Sequence, residues 1–440
     1  MKTFRPWNPE QKWLLPPSVD ELVPEGDLAH FVRDTVMSLD LSAIIDDYQE
    51  ERGYPPYDPT MMTALLLYGY CRGIYSSRRL AQGCEGETRF MAVTALEKPD
   101  FRTIASFRAR HLEALKGLFV QVLRLCQKAK LVKLGHVALD GTKVKANASK
   151  HRAMSYGRMD ERERQLREEV GRWFREAADV DEEEDRRYGR DRRGDELPDW
   201  VKDKRARLEK IREARKALEE EAREQAEQEA RGKGKSEKEI AKAREEAKPK
   251  PKAQRNFTDP ESRIMKGSDG FVQAYNCQAV VDDFDQVIVA QDVTNEATDV
   301  HQLEPMVQQV KENTGRQAKE MSADSGYCSE ANLRMIERHH IKGYIATGKD
   351  RRDDPRAKGR QHDSGLDLTR RMARRLRKAG WFSRYRKRKV LPEPVFGQIK
   401  QARGFRQFLM RGLEKVAGEW SLVCTAHNVL KLYGWSMVPV

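Results

Sequence analysis

Cysteine is scarce and scattered in this chain. Its six copies in 440 residues, Cys71, Cys84, Cys126, Cys277, Cys328 and Cys424, form no C-x-x-C pair and have no histidine at ligand spacing. That excludes a zinc ribbon and a disulfide framework, and fits a reducing compartment. Long apolar runs are also missing. No stretch reaches the ~18 residues of a membrane-spanning helix, and the start, Met1-Lys-Thr-Phe-Arg-Pro-Trp-Asn8, carries no signal-like apolar segment. The expectation is a soluble, cytoplasmic protein with no membrane contact. Hydrophobic residues make up 38% against 35% charged, so a sizeable part should be solvated helix rather than packed core. Acids are in deficit, with 70 Asp plus Glu against 83 Lys plus Arg and a net charge of +13. Cations that neutralise phosphates release counterions on binding, which favours a polyanionic partner.

The length admits two or three domains. Residues 1–130 read as helical. Pro59-Thr-Met-Met-Thr-Ala-Leu-Leu-Leu-Tyr-Gly-Tyr70 is a core helix, and Ser76 and Ser77 can cap another. Asp100-Phe-Arg-Thr-Ile-Ala-Ser-Phe-Arg-Ala-Arg110 turns Ile104 and Phe107 inward and leaves Arg102, Arg108 and Arg110 for the surface. This helix–turn–helix-like pattern suits a recognition helix in a major groove, and equally an amphipathic bundle with solvated arginines. Strand character begins at 131. From 155 to 255 the composition shifts to Glu, Arg, Lys and Ala, including Asp181-Glu-Glu-Glu-Asp185. A seam of Val201, Lys204, Leu208, Ile211, Arg215, Leu218 and Ala222 makes at best a weak coiled-coil strip, because two of its seven positions are charged. This arm is either a DNA-contacting element or a solvated insertion.

Strands return at Gly270–Asp282 and 286–294, joined closely enough for a hairpin. A helix with Leu303, Met306, Val307 and Val310 on one face follows, starting near Pro305. Then come a strand ending at Asp324, a helix capped at Ser329 and a strand from Gly343 to Thr347. Strand, hairpin, helix, strand, helix, strand is the order of an RNase H-like α/β core.

Three carboxylates stand out on this frame. Asp140 closes His136-Val-Ala-Leu-Asp140 before Gly141-Thr142, and Asp324 closes Glu320-Met-Ser-Ala-Asp324 before Ser325-Gly326-Tyr327. Glu393 opens Pro394-Val-Phe-Gly-Gln-Ile-Lys400. Singly, each has a plain structural reading as a turn or a helix start. Together they suit a two-metal phosphoryl-transfer site, where hard oxygen ligands hold ions ~4 Å apart. Asp140 and Asp324 lie 184 residues apart, and removing the polar arm leaves a separation normal for one compact domain. Asp282 and Asp292, at the hairpin ends, are read as spare carboxylates. His427-Asn428 is read as a buried hydrogen-bonded pair. Arg370-Arg-Met-Ala-Arg-Arg-Leu-Arg-Lys378 is either a solvated face or a track for a DNA backbone.

Tyr385-Arg-Lys-Arg388-Lys-Val-Leu-Pro-Glu393-Pro-Val-Phe-Gly-Gln-Ile-Lys400 resembles the Tyr–Arg–Glu–Lys signature of DDE-type transposases of bacterial insertion sequences. Six residues separate Glu393 from Lys400, as in that signature, which is two helical turns. Four separate Arg388 from Glu393 where the signature has three, so Lys389 is an alternative to Arg388. The resemblance extends through Tyr68-Gly-Tyr-Cys-Arg-Gly73, Leu139-Asp-Gly-Thr-Lys143, Tyr275-Asn-Cys-Gln-Ala279 and Ala323-Asp-Ser-Gly-Tyr327, and on to Trp420-Ser-Leu-Val-Cys-Thr-Ala-His-Asn428.

The resemblance implies a mixed-sheet RNase H-like catalytic core over 131–440, interrupted by the charged helical insertion at 155–255, behind an all-α DNA-binding domain over 1–130. It further implies that Asp140, Asp324 and Glu393 ligate two Mg²⁺ ions (with Mn²⁺ as a substitute) and that Tyr385, Arg388 and Lys400 meet DNA. The partners would be the element's terminal inverted repeats, target DNA and further copies of the chain in a synaptic complex. Competing readings are a structure-selective nuclease on the same fold and a non-catalytic DNA-binding derivative.

Overall fold

Several helix starts in the N-terminal region are set by aspartates. Asp58 accepts hydrogen bonds from the backbone N–H groups of Thr60 (2.6 Å) and Met61 (3.1 Å), and Pro59 takes the first helical position, where no N–H is needed. Asp27 and Asp100 do the same for the helices that follow them. Ser76 occupies an N-cap, as its sequence suggests, but its side chain makes no cap bond. The computed structural model describes residues 18–48, 55–188, 199–232, 234–267, 270–348, 367–379 and 384–437, with backbone alone at 173–188, 199–202 and 378–379.

Ahead of the sheet lie α1 (Leu28–Met37), α2 (Ser42–Ile45), α3 (Pro59–Cys71), α4 (Ser77–Gly86), α5 (Thr88–Thr94), α6 (Phe101–Arg110) and α7 (Leu112–Lys128). Helix α3 is buried on every side from Met62 to Cys71, which its unbroken apolar run demands. Ile104 and Phe107 of α6 point inward as expected.

The central sheet has six strands: β1 (His136–Lys145), β4 (Arg263–Gly267), β5 (Gly270–Asp282), β6 (Ile288–Thr294), β7 (Glu320–Ala323) and β8 (Lys342–Ile345). Strand β1 runs antiparallel to β5 and parallel to β7, and β7 runs parallel to β8. The far edge of β5 is shared by β4 along its first half and β6 along its second. The crossovers carry α11 (Leu303–Thr314) and α12 (Glu330–Arg338). This is the RNase H-like arrangement expected from the sequence. Helix α11 starts two residues before Pro305 and buries Leu303, Met306, Val307 and Val310. Ser329 caps α12 by accepting from the Asn332 N–H at 3.1 Å.

Two strand boundaries depart from the sequence reading. Strand β1 falls within the 131–150 stretch of strand character, but Asp140 does not end it: β5 pairs with β1 along its whole length, from Val137↔Asp282 to Lys145↔Ala274. Asp140 is therefore mid-strand. The edge strand β4 carries no apolar alternation and was not expected.

The C-terminal helix, Leu413–Ser436, threads the centre of the molecule, with Trp420, Val423 and Val429 fully buried. Asn428 reproduces a strand partner there: its Oδ1 accepts from the Ile288 N–H (2.9 Å) and its Nδ2 donates to the Ile288 carbonyl (2.8 Å). His427 hydrogen-bonds the Gln286 carbonyl. The N-terminal helices, the sheet and this helix share one hydrophobic core.

The charged arm leaves that core through a narrow neck. Strand β2 (Ala153–Ser155) pairs antiparallel with β3 (Gln254–Asn256), and between them lie α8 (Tyr156–Tyr188), α9 (Asp199–Gly232) and α10 (Glu237–Glu246). The arm adds no strand to the central sheet. It has a small core of its own, Met159 and Leu166 against Leu208, Ile211, Ala214 and Leu218. The expected seam is corrected at its charged positions. Ala214 packs inside, while Arg215 turns out to Asp160 (2.8 Å) and Glu163 (2.9 Å), and Lys204 to Glu169 (2.7 Å). Val201 lies where side chains are not described.

After β8 come α13 (Leu368–Ala379), α14 (Lys387–Val390) and α15 (Pro392–Gly397). The last runs into a π-helical turn, Gln398–Ala402, before α16, the Leu413–Ser436 helix already described.

Candidate active site

The parallel pairing of β1 with β7 sets the site. Ala138 lies opposite Ser322, so Asp140 stands beside the end of β7, where Asp324 follows Ala323. Asp324 turns the chain: its carboxylate accepts from the Gly326 N–H at 2.8 Å and starts a 3₁₀ turn. Arg388, on α14, joins the two. Its Nη2 lies 3.3 Å from both oxygens of Asp140 and 3.6 Å from Oδ2 of Asp324. Arg388, not Lys389, makes this bridge, and Lys389 is exposed.

Asp140 is buried, and that burial raises its pKa from 3.8 to about 6. Arg388 opposes the rise and the neighbouring Asp324 adds to it. The charge of Arg388 is favoured by the two carboxylates against the cost of its own partial burial.

Lys400 sits in the π-helical turn and reaches back to β1, where its Nζ donates to Thr142 Oγ1 (2.6 Å) and the Lys143 carbonyl (2.7 Å). Burial depresses its pKa. A π turn is a single wider, underwound turn, frequent at functional positions, and this one places Lys400 against the strand that carries Asp140.

Glu393 is placed differently. Helix α15 packs beside β1, yet the Glu393 side chain is exposed and has no hydrogen-bonding or ionic partner among the described residues. No group of three or more Asp, Glu, His or Cys forms a ready metal cage among the described residues. The donor chemistry nevertheless fits a divalent ion at Asp140 and Asp324, which offer hard oxygens and already share one cationic group.

The remaining expected DNA contacts divide. Tyr385 sits in the 3₁₀ turn Arg384–Arg386, close enough to Arg388 to act on its charge. Arg102 is exposed and lies over the Phe101 ring. Arg110 is exposed but ion-paired with Asp47 at 2.7 Å. Arg108 faces inward: it is 6% exposed and donates to the Tyr75 carbonyl (2.9 Å) and Tyr70 Oη (3.3 Å). Its helical position follows Phe107 around to the buried side, so it has no surface to offer DNA. Asp282 is structural, accepting from the N–H groups of Leu134 (2.7 Å) and Phe284 (3.0 Å).

Four side chains at the site were not singled out from the sequence. Asp299, just ahead of α11, accepts from Asn276 Nδ2 (2.6 Å) and Gln278 Nε2 (2.9 Å). Tyr327 donates to Gln278 Oε1, and its hydroxyl proton is held by burial and by the charges of Asp299, Asp140 and Asp324. Asn276, Gln278 and Tyr327 look like ordinary strand and turn residues. The available signal was the pair of glycines, Gly141 and Gly326, that follow the two aspartates.

Comparison with known proteins brings two family matches. Residues 247–429 match the family described as Transposase DDE domain, and residues 17–110 match Transposase domain (DUF772). The first match contains Asp324 and Glu393 and begins at the end of the arm, so Asp140 lies ahead of it. No curated protein and no solved structure matches the chain. With a DDE domain behind a second transposase domain, the two covering more than half of its length, the chain belongs to the DDE-type transposases of insertion sequences.

Proposed function

We propose that the protein cuts DNA at the ends of a mobile element in a Mg²⁺-dependent reaction and joins the freed 3′-hydroxyl to target DNA. The observation that carries this is the meeting of Asp140 and Asp324, from distant parts of the chain, around a single cationic group. Asp140 and Asp324 would hold the metal, with Glu393 brought in from α15. When bound, the metal supplies activation of the attacking oxygen and stabilisation of the leaving one.

The chain's own residues bind and orient. Arg388 keeps the carboxylates close before the cation arrives and then turns to a DNA phosphate. Lys400 uses two of its three donors at Thr142 and Lys143 of β1, which fixes the ammonium on the strand that carries Asp140 and keeps one donor for phosphate. Arg102 and the arginines of α13 add backbone contacts, which position DNA without reading sequence. In this reading residues 1–130 recognise element ends and residues 131–440 carry the chemistry, with the 155–255 arm as an insertion. Several copies would assemble around paired ends.

A duplex carrying an element end tests it. Asp324→Asn keeps side-chain volume and removes the charge of a hard ligand, so gel-shift affinity should persist while Mg²⁺-dependent cleavage disappears. Lys400→Ala should lower cleavage without abolishing it. Wild-type cleavage by Asp324→Asn would sink the mechanism. Wild-type protein that cuts but never joins ends to target would instead be a nuclease.

A further inference from the structure

Each of the two joined aspartates is followed by a glycine, Gly141 directly after Asp140 and Gly326 two residues after Asp324. Neither glycine adopts a left-handed backbone, so conformational freedom does not explain them. What both leave room for is Asp299. A β-carbon on Gly141 would stand 2.7 Å from Gln278 Nε2 and 2.9 Å from Asp299 Oδ1. One on Gly326 would stand 3.3 Å from Asp299 Oδ2 and 3.0 Å from Asp324 Oδ1. The carboxylate of Asp299 thus lies between the two glycines and faces Asp324 across the second.

Its two oxygens have different surroundings. Oδ1 is fixed by Asn276, by Gln278 and, at 3.4 Å, by Lys143 Nζ. Oδ2 has no hydrogen-bond partner among the described residues. Asn276 gives a second, separate sign. It is fully buried, and its Nδ2 is taken by Asp299 and the Glu296 carbonyl (3.1 Å), yet its Oδ1 has no partner among the described residues. That oxygen lies 3.1 Å from the position of the missing Gly141 β-carbon. A buried acceptor left unmatched is costly, and an amide oxygen is a hard neutral ligand for a divalent cation.

We propose that Asp299 is a fourth carboxylate of the cation site, binding a divalent metal together with Asp324, with the Asn276 amide oxygen as a neutral donor beside it. This rests on the metal-dependent reading above. A purely structural Asp299 would explain the bonds to Oδ1 alone. It explains neither the buried, unmatched Asn276 Oδ1 nor the glycine at 326 that keeps Asp299 Oδ2 and Asp324 Oδ1 clear of a side chain.

The test is calorimetric titration of metal-free, full-length protein with Mn²⁺, beside thermal unfolding and metal-free binding to an end duplex. Asp299→Asn should weaken Mn²⁺ binding at least tenfold while metal-free DNA affinity holds. Gly326→Ala should weaken it comparably, because its methyl group enters between Asp299 Oδ2 and Asp324 Oδ1 and touches none of the bonds to Asp299 Oδ1. It also decides the case if Asp299→Asn fails to fold. Asp324→Asn serves as the reference. Loss of Mn²⁺ in Asp324→Asn with binding within threefold of wild type in Asp299→Asn, or in Gly326→Ala where Asp299→Asn does not fold, overturns the role of Asp299 alone. Wild-type Mn²⁺ binding in Asp324→Asn as well overturns the metal reading of the whole site.

Discussion

Asp140 shows burial and charge competing at a single residue. Its folded pKa of about 6 lies above the ordinary 3.8, with burial as the largest cause. Between those values the folded protein keeps a proton that the unfolded chain has released. This residue's contribution to stability therefore falls as pH rises through that window, and stays low above it. A shift of this size corresponds to roughly 3 kcal/mol at most. Without divalent ions, Asp140→Asn should gain on wild type by on the order of 1–3 kcal/mol between about pH 4 and about pH 7, measured by denaturant unfolding. A difference independent of pH would mean that Asp140 is ionised throughout. Arg108 illustrates the opposite placement of charge. It supports Glu419, which is fully buried and whose carboxylate accepts from the N–H groups of Leu409 and Met410. Arg108→Ala would leave the Tyr75 carbonyl without its donor and the buried Glu419 less favoured as a carboxylate, and should cost about 1–3 kcal/mol in an unfolding experiment. The exposed Arg102→Ala should change DNA affinity and leave unfolding untouched.

Among the elements, those with strong periodicity were legible and the short ones were not. The inward face of α11 and the β5–β6 hairpin follow directly from apolar spacing at periods of 3.6 and 2. Strands β2 and β3 have three residues each, too few to show a period. Strand character over 131–150 covers β1, but the place of Asp140 in mid-strand follows from the pairing with β5 through Gly141-Thr142-Lys143, which no local pattern reveals. The site divides in the same way. Asp140, Asp324 and Arg388 stood out because motif and strand order coincide at them. Asp299 lies in a loop whose residues carry no periodicity, and its importance comes from two glycines over 150 residues and under 30 residues away in sequence. The arm is the clearest case of composition marking an element. Its core comprises a few apolar side chains and its faces are held by exposed ion pairs, which contribute little individually. Amide hydrogen exchange should therefore run faster along α9 and α10 than in β1, whose core residues are fully buried. Equal protection in both would make the arm a part of the central core.

At the scale of the whole molecule, the N-terminal helices and the π-helical turn that holds Lys400 are mechanically joined. Gly73, in the turn between α3 and α4, has φ +73°, and a β-carbon there would stand 2.5 Å from the Arg403 carbonyl oxygen. Tyr75 donates its hydroxyl to that same carbonyl at 3.1 Å. Arg403 caps the π-helical turn that holds Lys400, and its guanidinium reaches the Val423 carbonyl and Nδ1 of His427 on α16. Burial and the nearby Arg403 push the His427 pKa down to about 3, so the ring is neutral and can accept that bond. A glycine is needed at 73 both for its left-handed backbone and for the close approach of another chain segment. Gly73→Ala should therefore destabilise the protein by about 2 kcal/mol or more, and the loss should reach the turn at Lys400 as well as α3. Gly86, at the end of α4, has open space around it and an ordinary backbone, so Gly86→Ala should be neutral or gain up to ~1 kcal/mol. Hydrogen exchange of the two variants separates the possibilities. If Gly73→Ala loosens α3 and leaves residues 398–402 as protected as in wild type, the N-terminal helices are a separable module. Loosening of both together means that the N-terminal helices and the turn at Lys400 share one cooperative unit.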